Sequence, residues 1–407
     1  MMVYSEITRC RVCGSPGLEP LLDLGVQTIP GYLDGVAPEE AMGAPLEMMW
    51  CPGCLVAQLG HTVDRDILYG HYYYRSGLNL RMVEELRDIA QKAVSIARPQ
   101  PGDIVLDIGA NDGTLLDAYP ATLRRVGVEP SRNMVDVLVE KGIETIPGFF
   151  RRAAFDTATW GRKAKIVTAV AMFYDLNHPS IFCADLAPVL DQQGVAVIQM
   201  NDLWSLFTQN TWDMIVHEHL CLYPLSALNA LLGKAGLEVF NYEWRTINGG
   251  SGRYWVGHRG EHPVEACINI RLAQEAQLFT PEHFREYSAQ VKFTTERIKR
   301  LVQDEVDRGG RVYTLAASTR GATILHACGL DKTLIKGASE IHPEKIGKRM
   351  AGLDIPIVSE EEARADATAF LVLPYSYRNE IIFRERAFLE KGGSLIFPLP
   401  EPEVVKW

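Results

Sequence analysis

An α/β protein with two doubly wound domains behind a small cysteine-rich module is the fold class this sequence predicts, and three observations carry it. Cys-x-x-Cys occurs twice near the N-terminus, as Cys10-Arg-Val-Cys13 and Cys51-Pro-Gly-Cys54. Short apolar runs alternate with helical stretches from Ile104 to Met200, and a second alternation of the same kind runs from Arg311 to Pro400. The 407 residues also exceed what one compact core accommodates, so two or three domains are expected. The divisions fall at 1–71, 72–264 and 265–407.

The first block is read from its cysteines. Two knuckles in one short segment can wrap a tetrahedral Zn²⁺ with four thiolates, Cys10, Cys13, Cys51 and Cys54. Such a closed site leaves no position for water, so its role is structural, stabilising a module too small to fold well alone. The competing reading is two independent turns with free thiols. Cys183, Cys221, Cys267 and Cys328 are solitary.

From Asp64 to Ala97 the spacing turns helical, and Pro99, Pro101 and Gly102 end it. "DIVLDIGANDGTLLDAY" then reads as a buried strand, a glycine-bearing turn and a helix start. "RRVGVEP", "KIVTAVAM" and "GVAVIQM" continue the strands of a parallel sheet with helices on both faces. "FTPEHFREYSAQVKFTTERIKRLVQDEVDRG" reads as one long helix joining this sheet to a second set of strands, "RVYTLAA", "TLIKGAS", "FLVLP" and "GSLIFPLP".

Composition narrows the function. Hydrophobic residues make up 47% and charged residues 23%, as in ordinary folded proteins. A formal charge of −10 without a dense Lys/Arg stripe argues against a nucleic-acid surface, although it leaves room for a local basic pocket. No apolar run reaches membrane-spanning length and "MMVYSEITRC" lacks a secretory apolar region, so a cytoplasmic protein is expected.

The glycine turn indicates the ligand. Gly109 and Gly113 let the backbone approach a ligand, but the Gly-x-Gly-x-x-Gly order of nicotinamide sites is missing. Asp107 at the strand end would repel a pyrophosphate and suits a cationic amino-acid group. Glu129, ending the next strand, can accept from both ribose hydroxyls. S-adenosylmethionine combines these features, with Asn111 in the turn. The alternative is a structural αβ turn.

"LDIGANDG" and "GVEPS" resemble motif I and the ribose acid of class I S-adenosylmethionine-dependent methyltransferases. With "CRVCG", "CPGCLVAQLGH", "YYYRSG", "HEHL", "NGGSGRYWV" and "AASTRGATIL", the chain resembles the sugar-nucleotide C-methyltransferases acting on 4-keto-deoxysugars from end to end. The resemblance implies a zinc domain, a methyltransferase domain and a Rossmann-like C-terminal domain that holds the nucleotide part of the acceptor. In that family the histidine ending the His-Glu-His run is proposed as general base, here His219. Carbon is a poor nucleophile, so a proton must leave the position beside a ketone, and a histidine titrating near neutral pH fits that task. Glu218, His217 and Tyr72 are expected in support. A catalytic metal on the two histidines and a buried capping histidine are the competing readings.

Two departures bear on the substrate. Sugar-modifying members often have a tyrosine two residues before the His-Glu pair, whereas Val216 directly precedes His217 here. Tyr72, Tyr73, Tyr74 or Tyr223 then supplies the hydroxyl, or the acceptor differs, and methyl transfer to oxygen or to a non-sugar carbon stays open. Gly148 stands where many methyltransferases place an acid for the adenine amine, so backbone groups near Phe149 are expected to bind the base instead. Further acceptor contacts are expected from Tyr74, Ser76, Asn201, Asn248, Gly249 and Arg253, and from Ser318, Thr319 and Arg320, which offer a diphosphate a helix N-terminus and a charge. "FYDLNHP", Phe173–Pro179, is either a cofactor-facing loop or a plain turn capped by Asp175 and Asn177. A non-catalytic protein that senses the cofactor or a nucleotide sugar is the alternative of another class.

Overall fold

The computed structural model describes residues 3–29, 32–33, 42–69 and 74–407. Its centre is a seven-stranded sheet in the order 237–245, 251–258, 190–200, 164–170, 104–108, 124–129, 144–147. The strands are parallel except Ser251–His258, which runs antiparallel to both neighbours. Ile104–Ile108 is buried along its whole length because helices cover both faces, which is why it reads as an unbroken apolar run.

The second sheet has a parallel core in the order 394–397, 369–372, 312–315, 335–340, 355–359. Its far edge continues through Arg349–Met350 to Tyr32–Leu33, which comes from the N-terminal module. The N-terminal module gives one strand and takes another. Its own sheet, 19–28, 43–50 and 57–59, is extended by Cys221–Leu222, immediately after the His-Glu-His run. Neither exchange was readable from local pattern, since both strands are two residues long.

Helical expectations change in detail. The stretch from Asp64 to Ala97 is two helices, Arg65–Tyr69 and Leu80–Ala97, the latter capped by Asn79, whose side chain accepts from the amides of Arg81 and Met82. The long connecting helix is Pro281–Asp307, preceded by a separate helix Ala266–Leu278. Thr280 caps the second helix, and Pro281 at its first position suits a helix start. Among the described residues no helix is long and apolar enough to cross a membrane.

Candidate active site

The His-Glu-His run is neither strand nor helix. It is a turn between the short helix Trp212–Met214 and the strand Cys221–Leu222, closed by the His219 amide donating to the Val216 carbonyl at 3.0 Å. The turn sends its three side chains apart. His219 Nδ1 lies 2.7 Å from the Met214 carbonyl, so in the neutral ring Nδ1–H donates there and Nε2 keeps its lone pair. Burial pushes the His219 pKa down to about 4, with the Arg320 cation adding to the effect, so it does not titrate near neutral pH as the sequence suggested, and the base form prevails there at the cost of base strength. The Tyr174 ring packs on His219 with centroids 4.0 Å apart.

Two adjoining cavities meet beside this turn. One, of about 370 Å³, is lined by Asp107, Gly109, Asn111, Glu129, Tyr74 and Ser76, by Glu218 and His219, and by Asn248, Ser318, Thr319 and Arg320. The other, of about 610 Å³, runs from Gly109 past Phe149 to the N-terminal module at Tyr4, Thr62 and Arg65. Tyr69, Gly109, Pro130, Met172, Asp175 and Glu218 are walls of both. Residues drawn from all three blocks of sequence therefore line a pair of adjoining cavities, at the carboxyl ends of the central strands, where doubly wound sheets bind ligands.

The cofactor residues fit an adenosyl ligand. Glu129 accepts the amides of Asn111 at 2.9 Å and Ser131 at 2.8 Å, which fixes the carboxylate while leaving lone pairs for a ribose. Asp107 accepts the Thr168 hydroxyl at 2.6 Å, and burial, aided by the Glu129 charge, raises its pKa to about 7. Gly109 has φ of 79°, and a Cβ there would stand 3.3 Å from Met172 and narrow the cavity. Asn111 does more than line the turn, since its side chain accepts the Ser76 amide and donates to the Tyr74 carbonyl, both at 3.0 Å. The turn thus anchors the loop that "YYYRSG" enters. Arg65 lies over Phe149 at 4.1 Å from the ring centroid.

Several expected residues point elsewhere. Gly113 lines neither cavity; a Cβ there would come within 2.7 Å of Ile143 and 2.9 Å of Leu138, so its glycine serves packing of the helix start. His217 is turned toward the N-terminal module, with Nε2 3.1 Å from the Ala44 carbonyl, and lines a separate void of about 40 Å³. Arg253, expected at the acceptor, has no exposed surface and is held by Glu85 at 2.7 Å, Asp88 at 2.6 Å and Gln199 at 2.6 Å. It belongs to an ion-pair network that ties the helix Leu80–Ala97 to the sheet. Asn201 is buried and donates to the Asn248 and Gly250 carbonyls, and Gly249 packs against Thr211, Arg320 and Tyr375. Both support the turn that presents Asn248. Tyr72 and Tyr73 lie outside the described residues, and Tyr223 is fully buried and faces neither cavity.

Arg320, Glu218 and Asp175 were expected from sequence, but Asp213 and Tyr375, the partners of Arg320, were not. Arg320 reaches the cavity but is clasped by Asp213 at 2.7 Å, the Asn248 carbonyl at 2.9 Å and the Tyr375 hydroxyl at 3.0 Å. Tyr375 in turn donates to Asp213 at 2.7 Å. No local signal could reveal a pair 162 residues apart. Glu218 was expected to orient or polarise the His219 ring, but the Met214 carbonyl orients it instead. Glu218 Oε2 is buried without a partner among the described residues, and burial raises its pKa to about 7. Asp175 faces the same cavities, pushed well above the carboxylate range by burial and by the Glu218 charge. Its position resolves "FYDLNHP" as cavity-lining.

The four cysteines form a separate cluster whose ligand atoms all lie within 4.8 Å of one another. Cys10 and Cys54 sulfurs are 3.6 Å apart, and Cys13 and Cys51 sulfurs 3.5 Å. Tetrahedral zinc with Zn–S bonds of about 2.3 Å requires sulfurs roughly 3.8 Å apart, so the cluster has the dimensions of a closed structural zinc site.

Comparison with known proteins finds three family profiles and a full-length relative. Family profiles match in succession a zinc binding domain over residues 10–69, a methyltransferase domain over 74–241 and a C-methyltransferase C-terminal domain over 246–400. The chain is 31% identical to the C-methyltransferase NovU of Streptomyces niveus over 412 residues, covering 99% of this chain and 98% of that protein. Among solved structures it is similar to an S-adenosylmethionine-dependent methyltransferase from Clostridium acetobutylicum, at 11% identity and a TM-score of 0.35, covering 44% of this chain and 92% of that one. It is also similar to magnesium protoporphyrin IX methyltransferase from Synechocystis, at 14% identity and a TM-score of 0.35, covering 46% and 90%.

Proposed function

The chain belongs to the S-adenosylmethionine-dependent C-methyltransferases that carry an N-terminal zinc-binding domain, and from that premise we propose that it methylates a carbon beside the ketone of a nucleotide-linked sugar. The observation that carries the reading is His219, a half-buried imidazole whose Nδ1 is held by the Met214 carbonyl, at the wall of the cavity that Glu129 and Gly109 also line. S-adenosylmethionine, when bound, supplies an electrophilic methyl group. The residues of this chain supply the proton chemistry. His219 Nε2 takes the proton from the carbon beside the ketone while that C–H bond's electron pair forms a C=C bond and the carbonyl π pair moves onto oxygen, leaving an enolate carbon as nucleophile. The Nδ1–H to Met214 bond holds the ring in the tautomer this step requires.

An enolate oxygen calls for a donor. Val216 cannot provide one, and Tyr69, Tyr74 and Tyr174 are the tyrosines of the cavity wall among the described residues. Tyr174, packed on His219, is our assignment, with Tyr72 the other candidate. Ser318 and Thr319 begin a nine-residue helix beside the cavity and suit a diphosphate. The acceptor is a small molecule, and we assign the reaction to the cytoplasm, where nucleotide sugars are made, with no nucleic acid or membrane partner.

The test is incubation with labelled S-adenosylmethionine and a panel of keto-sugar nucleotides in deuterated water, read by mass spectrometry. Deuterium uptake beside the ketone that His219→Asn abolishes, with S-adenosylhomocysteine binding intact, is the expected result. Cofactor binding without exchange or methyl gain on any keto sugar would overturn it in favour of an oxygen or non-sugar carbon acceptor, the reading that Val216 in the cavity wall favours.

A further inference from the structure

We propose that Arg11 is a positioning residue for the cofactor, through which the zinc knuckle sets the affinity for S-adenosylmethionine. The proposal rests on cofactor use alone and is independent of the acceptor. The N-terminal module is a wall of the larger cavity rather than an appendage, contributing Thr62, Asp64, Arg65 and Tyr69 opposite Gly109 and Phe149. Arg11 stands inside the first knuckle, between the ligands Cys10 and Cys13. Its amide donates to Gln58 Oε1 at 3.0 Å, and Gln58 Nε2 donates to the Cys10 sulfur at 3.1 Å, so the backbone here is registered to the metal ligand itself.

The guanidinium then crosses to the cavity. Nη2 donates to the Thr62 hydroxyl at 2.7 Å, and Nε donates to Asn177 Oδ1 at 3.0 Å. Thr62 and Asn177 both line the larger cavity, one from each domain. Asn177 belongs to the loop that also carries Asp175, a wall shared by both cavities. Arg11 is thus a strut from the knuckle to the loop whose Asp175 lines both cavities. A planar guanidinium presents several fixed donors, and a lysine could not satisfy them together. Metal loss frees Cys10 and Cys13, lets the knuckle unwind and withdraws the strut, while the Arg65–Phe149 contact at the same cavity loses its backing.

The experiment measures S-adenosylhomocysteine binding by titration calorimetry on the full chain, alongside zinc content and Tm. Arg11→Met and Asn177→Ala are each expected to retain one zinc per chain and to weaken binding about tenfold, the size of one hydrogen bond to a charged group. The double variant should be no weaker than Arg11→Met, which already removes the Asn177 contact together with that to Thr62. In turnover, KM for the cofactor rises while kcat at saturating cofactor stays within about twofold, a split that general unfolding would not produce. Chelator-treated wild type should lose affinity at least as much as Arg11→Met. Unchanged affinity in both single variants with zinc retained would overturn the strut. Unchanged affinity on zinc removal would overturn its link to the metal. If Arg11→Met does not fold, Asn177→Ala decides, because it removes only the far end of the contact.

Discussion

Replacing Glu129 by glutamine tests the cofactor site at a single atom. Two carboxylate lone pairs are engaged by the amides of Asn111 and Ser131, at 2.9 and 2.8 Å, and the residue lines the cavity. The glutamine amide has one oxygen and one NH₂, so whichever way it turns, one backbone N–H faces a donor and one ribose acceptor is lost. A hydrogen bond to a charged group contributes about 1.5–3 kcal/mol, so losing one ribose bond and weakening the other gives about 3–4 kcal/mol. At 1.4 kcal/mol per tenfold, S-adenosylhomocysteine affinity should fall on the order of a hundred- to a thousand-fold. Titration calorimetry at pH 7.5 reads this directly, with the melting temperature separating the loss of the two amide contacts from the loss of the ligand. A decrease under about threefold in a folded variant would refute the assignment of Glu129 to the ribose.

Asp107 predicts a pH dependence. Burial holds its pKa near 7, above the unfolded value of about 3.8, so its stabilising contribution is complete below pH 4 and is lost as pH rises through 7 in the free protein. A cationic amino-acid group favours the carboxylate, so cofactor affinity should rise from pH 6 to 8 and binding at pH 6.5 should release protons, read by calorimetry in two buffers of different ionisation enthalpy. Affinity that falls over that range would sink the pairing. Arg253→Met removes the buried partner of Glu85 and Asp88 and should cost about 3–5 kcal/mol of stability, seen in denaturant melts, while the acceptor KM stays unchanged. A raised KM in a stable protein would return Arg253 to the acceptor site. Asp213→Asn unclasps Arg320 from Tyr375 and should raise acceptor KM several-fold more than it changes cofactor affinity; equal effects on both would show that the clasp does not belong to the acceptor side.

Much of the site was legible because its signals are local. The glycine turn, Glu129 at the neighbouring strand end and the paired cysteines each lie within a few residues, and strand, turn and knuckle geometry follow from those residue types directly. The same locality explains the misplacements. Gly113 and Gly109 look alike in sequence, yet one faces Ile143 and Leu138 and the other faces Met172 across the cavity. Arg253 was read from the glycine turn before it, but along a strand the side chain's face is set by register, and this register sends it to Glu85.

By itself the sequence determined a four-thiolate module, two doubly wound sheets and an adenosyl-type turn, since hydrophobic period, glycine and cysteine spacing act over short range. Only the tertiary structure decided how the His-Glu-His run is used. Its turn conformation depends on the Met214 carbonyl, on pairing of Cys221–Leu222 with the zinc module and on the Asp213–Arg320–Tyr375 clasp, contacts between parts of the chain far apart in sequence. Burial then sets the charge of His219, and burial is a property of the assembled fold that no stretch of ten residues carries.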